Sequence, residues 1–246
     1  MKIKEVVNNV ISQEDLMKLM GICYQKAVDG LEFVIPSVGE MAADYTTKYA
    51  SVERASKEMI KKQIIKGATS GVVTGLGGLI TLPVTIPANI ASVLYVQLRM
   101  IACAAHMSGY DVKNDRVQTL IYACLAGVTV NAAFKKTGVK IGEKMATGAI
   151  NKIPAKAITT INQKVGFRLV TKFGETGVIN LGKMVPGVGA VVNGSLDLIE
   201  TRVIGKRAYN WFIKGNFVCD DKNDEQIKEF ENIIDFREEE IRKYAG

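Results

Sequence analysis

Histidine is nearly absent from this chain, with His106 alone among 246 residues. A Cys/His or Ser/His/Asp site would have to be built around that one ring, and no GxSxG nucleophile turn accompanies it. A lone histidine at a helix end reads as a capping or core residue rather than a catalyst. The four cysteines, Cys23, Cys103, Cys124 and Cys219, show no CxxC or other metal-ligand spacing. Cys103 and Cys124 sit among apolar residues, where a free thiol behaves as a small hydrophobe, so a reducing compartment is expected. No segment alternates strictly between apolar and polar residues, which leaves little or no sheet. The opening MKIKEVVNNVISQEDL carries charges and asparagines where a leader would be apolar, so no secretory signal is expected. With 23% charged residues and a mean hydropathy of +0.12, intrinsic disorder is excluded. The 23 glycines follow no three-residue period, which excludes collagen.

Cofactor signatures are missing as well. Residues 177–183 match the first seven positions of a phosphate loop, but Met184 stands where a hydroxyl must reach Mg²⁺, and no strand precedes it. Gly75, Gly77 and Gly78 do not make GxGxxG, because Ile80 occupies the last position. Basic residues interleaved with aromatics, as on an RNA-binding sheet, are not found. The expectation is therefore no catalytic residue, no metal and no cofactor, and nucleic acid is disfavoured as a partner.

What remains is helical and unevenly charged. The net charge is +7, yet residues 220–246 hold ten acids against five bases, so residues 1–219 carry +12. A basic body with an acidic tail suits anionic partners such as acidic lipid headgroups. The same charge also serves as a soluble basic surface.

Helix signals run along the chain. Ser12 and Asp15 resemble a capping box opening a helix that ends near Gly30. Ser37 and Glu40 form a better one, followed by Met41, Tyr45, Tyr49, Val52, Ala55 and Met59 as a single apolar stripe on one long helix. Lys48, Lys57, Lys61, Lys62 and Lys66 fall outside the stripe and gather near the helix C-terminus, where cations suit the dipole. Residues 67–98 then contain no charge for 32 positions. Such a length suggests a membrane span, but Pro83 and Pro87 cut the run into pieces of 16 and 12, short of the ~20 that a span needs. The spacing predicts a helical hairpin: a helix near 67–81, a turn at 82–87 and a helix near 87–107. Pro87 suits the first helical position.

A second helical run is predicted after Asp115, with Val117 to Phe134 uncharged, then shorter helices over 138–150, 155–172 and 174–183, and a long one from Pro186 through Phe212. A last amphipathic helix is capped at Asn223. Thr74-Gly75, Pro83 and Arg99 are echoed by Thr176-Gly177, Pro186 and Arg202, with sixteen residues from proline to arginine in both. A duplicated hairpin and chance similarity both explain that echo.

Three constellations stand out. Gly67, Gly71 and Gly75, four apart, give a smooth helix face of the kind used in membranes and in tight soluble packing. Arg99 lies in an apolar helix and needs a partner, for which Asp197 is preferred. Gly189, Asn193, Asp197 and Thr201 step by four along one small or polar stripe. That seam is either a structural Arg–Asp pair or a ligand or ion site.

These residues lead to a resemblance. Thr74-Gly-Leu-Gly-Gly-Leu-Ile-Thr-Leu-Pro83, Ile86-Pro87, Gln97-Leu-Arg-Met-Ile101 and Gly109-Tyr-Asp111 resemble the EcsC family. Pro186-Gly-Val-Gly-Ala190, Asp197 and Thr201-Arg-Val-Ile-Gly205 resemble it too, so the likeness runs from about Tyr45 to Phe212. Some relatives carry an acid in the proline-rich turn, where this chain has Thr85 and Asn89. Because the family name comes from bacterial operons that also encode an ABC transporter, the resemblance implies a prokaryotic protein working on the cytoplasmic side near membranes. It implies no activity and carries over no catalytic residue. Gly75, Pro83, Pro87, Arg99, Asp111 and Asp197 come over only as determinants of the fold.

The expected protein is all-α, a multi-helix bundle built around two Gly/Pro-turn hairpins. It is read as one domain over 1–246, with an N-terminal segment (1–36), a core (37–219) and an acidic C-terminal helix (220–246). The expected fold or interaction residues are Gly67, Gly71, Gly75, Pro83, Pro87, Arg99, Asp111, Asn193, Asp197 and Arg202. The expected role is non-enzymatic, on the inner face of the cell membrane, with an anionic membrane surface or a membrane protein as partner. The alternative is a soluble helical module that binds a small apolar or anionic ligand, or an enzyme whose chemistry the sequence does not signal.

Overall fold

The computed structural model describes residues 12–31, 34–68, 88–130, 150–171 and 200–217. These form α1 (Gln13–Asp29), α2 (Val38–Lys48), α3 (Val52–Ala68), α4 (Ala88–Met107), α5 (Asp115–Ala126) and α6 (Ala155–Leu169). A seventh helix, α7, covers 200–208 and ends in a π-helical turn, Tyr209–Ile213. The fold is all-α: among the described residues the only strand-like feature is one antiparallel bridge, Leu31–Ile35.

The helix starts follow local chemistry. Ser12 Oγ accepts from the Asp15 N–H at 3.0 Å and opens α1. Ser37 Oγ accepts from the Glu40 N–H at 3.1 Å while the Glu40 carboxylate accepts from the Ser37 N–H at 2.7 Å, a full capping box on α2. Asn114 caps α5, its Oδ1 accepting from the Arg116 N–H at 2.9 Å. The ends are equally local: Gly30 (φ 77°) closes α1 and Gly127 (φ 65°) closes α5 in the left-handed region.

The long helix expected from Ser37 is two helices. Tyr49 adopts an extended backbone at the end of α2, and Ser51 Oγ then accepts from the Arg54 N–H at 3.2 Å to start α3. Met41, Tyr45, Ala55 and Met59 are buried as the stripe required, but Val52, at the new start, is exposed. The break lets two short helices lie on α4 at different places, which one straight rod could not. The run from Val117 also ends early, at Ala126, because Gly127 turns the chain. His106 is exposed, its Nε2 facing Gly39 of α2, so it is not a core histidine.

α4 is the centre of the fold. It packs against α1, α2, α3, α5 and the π turn, while α6 packs on α5 and α1. Leu94, Leu98, Met100, Ile101, Cys103 and Ala105 of α4 are all fully buried. Ser56 Oγ lies 3.3 Å from Met107 Sδ, and Ile60 and Met100 both face Gly205, so α3 and α4 run antiparallel. α1 belongs to the same hydrophobic core as α4. α4 spans Ala88–Met107, and Pro87, expected as its first helical position, lies outside the described residues; Gly67 lies at the end of the lysine-rich α3 instead of opening a new helix. The turn at 82–87, the helices at 138–149 and 174–183 and the acidic tail lie outside the described residues.

Candidate functional site

Two arginine arrangements tie helix ends together, one buried and one at the surface. Arg99, on α4, is only 5% exposed. Its Nη1 donates to the Ala27 carbonyl at 3.0 Å and lies 3.5 Å from the Tyr95 hydroxyl. Its Nη2 donates to the Pro36 carbonyl. Ala27 is in the last turn of α1, where carbonyls lack helical partners and the dipole is negative. Pro36 directly precedes the Ser37 cap of α2. One buried guanidinium therefore holds the end of α1 and the start of α2 together against α4. Its charge also reaches outward. Bonds from Ser37 hold the Glu40 carboxyl below the usual carboxylate range, and Arg99 adds to that effect. Burial lowers the pKa of Lys66, and Arg99 lowers it further.

The second arrangement surrounds a cavity of about 360 Å³ between the end of α5, the end of α6 and α7. Arg168 and Arg207 line it together with Thr171, Glu200 and Val203. Arg168 Nη1 donates to the Gly127 carbonyl at 2.7 Å and the Ala126 carbonyl at 3.2 Å. Arg207 Nη1 donates to the Cys124 carbonyl at 2.7 Å. A Cβ on Gly127 would stand 3.0 Å from Arg168 Nη1 and 3.1 Å from Arg207 Nη2. The bare glycine is what admits both guanidiniums to the same point over the end of α5.

The outer face of α6 completes the picture. Residues 150–171 contain no Asp or Glu, and Lys152, Lys156, Lys164 and Arg168 are all exposed. Lys156, Thr160, Gln163, Lys164 and Phe167 follow helical spacing on one side. Phe167 is 65% exposed at the C-terminal end of that basic face. Three lysines elsewhere lie against other side chains: Lys57 over the Tyr209 ring at 5.3 Å, Lys62 over Tyr45 at 5.5 Å, and Lys214 paired with Glu53 at 2.9 Å.

A family model, that of the EcsC protein family, matches residues 3–214. The chain belongs to the EcsC family. No curated protein and no solved structure matches it. Of the residues on which the sequence resemblance was argued, Arg99 is the staple just described. Asp111 is exposed in the α4–α5 turn, where its Oδ1 accepts from the Lys113 N–H at 2.9 Å. Its neighbour Tyr110 is buried edge-on against Phe212, with ring centroids 5.6 Å apart. Arg202 is half-buried on α7, and Thr201 beside it accepts from Gln97 Nε2 at 3.0 Å within the core. Gly71, Gly75, Pro83, Pro87, Asn193 and Asp197 lie outside the described residues, as does the expected Arg99–Asp197 pair.

Reading the EcsC chain as a sequence missed Arg168, Arg207 and Gly127, because nothing local joins positions forty residues apart. It also passed over Phe167, although a visible signal was present: an acid-free stretch with one aromatic at helical spacing from its lysines.

Proposed function

We propose that this EcsC-family protein docks peripherally on an anionic membrane surface through the outer face of α6. The observation that carries the reading is an acid-free helix face on which Lys156, Lys164 and a 65% exposed Phe167 stand together. A basic helix face with an aromatic is suited to the headgroup boundary, where cations meet anionic lipid and the ring enters the acyl edge. α4 is the one described helix long and apolar enough to cross a membrane, with mean hydropathy 1.4 over Ile90–Met107, and 83% of that window is buried inside the protein. Moving it into lipid would strip the apolar faces of α1, α2, α3 and α5, so docking through α6 leaves the core intact.

Co-sedimentation of the full chain with vesicles tests this. Recovery with anionic vesicles and not with neutral phosphatidylcholine, lost as salt is raised, is the expected result. Each basic residue near such a surface contributes about 1 kcal/mol, so Lys156→Gln with Lys164→Gln should weaken binding roughly 30-fold. Phe167→Ser should weaken it with little change in salt dependence. Equal recovery in the supernatant with both vesicle types at low salt would overturn the reading. Binding only to vesicles that contain membrane protein would point to a protein partner instead.

A further inference from the structure

We infer that the acidic segment 224–240 of this chain docks in cis on the outer face of α6 and competes there with the membrane. The lysines of that face stand apart from the others. Lys18, Lys48, Lys113 and Lys214 each lie within ion-pair distance of an acid, and Lys57 and Lys62 lie over aromatic rings. Lys152, Lys156 and Lys164 meet no carboxylate among the described residues, and residues 150–171 contain none.

The sequence supplies the complement. Residues 220–246 hold ten acids against five bases, beyond the family match that ends at residue 214. Ile227, Phe230, Ile234 and Ile241 recur at helical spacing, and Glu231, Asp235 and Glu238 follow the same steps beside them. An apolar stripe edged with acid offers Phe167 and its lysines what an anionic membrane offers them, a dry surface bordered by negative charge. The segment is also within reach. Residues 203 and 204 of α7 lie beside Arg168 and Leu169 of α6, and the described chain ends at Phe217. The intervening helix is about 20 Å long, a distance that roughly six extended residues after Phe217 cover. A tethered segment meets its target at an effective concentration on the order of 1 mM, so a weak contact suffices to occupy α6. Only the competition with lipid rests on the membrane-docking reading; the contact with α6 does not.

The full chain is tested in two arms. In the first, a water-soluble carbodiimide couples carboxylates to lysine amines in direct contact, and peptide mapping of the monomer identifies the pairs. Amides from Lys156 or Lys164 to an acid of 224–240 are expected at low salt and should be lost as salt is raised. Their absence overturns the inference. Their presence only in a cross-linked dimer also overturns it and assigns the face to the segment of a second copy.

In the second arm, binding to phosphatidylcholine vesicles carrying phosphatidylserine is compared among wild type, Phe230→Ser and the triple variant Glu231→Gln, Asp235→Asn, Glu238→Gln. Both variants should bind about tenfold tighter, because apparent affinity scales with the fraction of chains whose α6 face is free. Phe230→Ser leaves the net charge unchanged, so its gain cannot come from weaker repulsion by the vesicle. A gain in the triple variant alone reduces the segment to general repulsion and overturns the inference. Weaker binding by Phe230→Ser means that the segment itself enters the membrane, and equal binding by all three chains means that it does not compete; either result overturns the inference. Amides formed by a chain that binds no vesicle, as wild type or variant, uphold the contact with α6 while the docking reading fails.

Discussion

Gly30→Ala is the sharpest probe of how α1, Arg99 and α2 are joined. Gly30 has φ 77° and ψ −165°, a backbone region that residues with a side chain occupy only at a cost of about 1–3 kcal/mol. A Cβ there would lie 2.5 Å from the Ile35 carbonyl oxygen, 2.7 Å from the Ser37 nitrogen and 2.8 Å from the Pro36 carbonyl carbon. All three are backbone atoms, and the bond from Arg99 to the Pro36 carbonyl prevents that backbone from retreating. Overpacking adds about 1–3 kcal/mol. Narrowing the unfolded ensemble returns about 0.4–1 kcal/mol. The net loss is about 3 kcal/mol, and for a chain of this length Tm should fall by roughly 6–12 °C. Gly109→Ala is the matched control. Gly109 has φ 84° but nothing within 4 Å of a Cβ, so only backbone strain applies, about 1 kcal/mol or roughly 2–4 °C. Thermal unfolding followed by circular dichroism measures both. Equal losses in the two variants would refute the close packing of Gly30 on the backbone of Ile35, Pro36 and Ser37.

Three further outcomes follow from the described contacts. Gly205→Ala would stabilise α7 by about 1 kcal/mol if space were free. A Cβ would instead meet the Ile60 Cγ2 methyl at 2.8 Å, so urea unfolding should show a loss of about 1–2 kcal/mol, and a gain would refute the close packing of α7 on α3. Glu40 has its pKa depressed in the folded state, so its stabilisation is present above the unfolded value near 4.3 and is lost as pH falls through the folded value. The stability difference between wild type and Glu40→Gln should therefore hold steady around neutrality and vanish on acidification, as pH-dependent denaturation would report. Burial pushes the Cys23 and Cys103 thiols up to about 12, so alkylation mapped by mass spectrometry should spare both in the native protein and reach both in urea. Labelling of either at native rates near pH 8 would contradict the buried core around α4.

The features legible without coordinates are the ones decided within a few residues. Ser12, Ser37 with Glu40, and Gly30 announce helix ends because a cap is a bond between neighbours in the chain. The apolar stripe of Met41, Tyr45, Ala55 and Met59 also reads correctly, yet it could not reveal the break at Tyr49, since a stripe continues in register across a short interruption. The identity of Arg99 as a buried cation was readable from its apolar neighbours. Its carbonyl partners were not, because a backbone acceptor is available at every residue and sequence ranks none above another.

The one-letter string by itself determined that this EcsC-family chain is helical and basic, since propensity, caps and charge are properties of neighbouring residues. Only the tertiary structure decided that α4 is buried among the other helices, and that Arg168 and Arg207 meet over Gly127. Both depend on contacts between segments far apart in the chain, and the free energy of such contacts comes from shape and burial that no local pattern encodes.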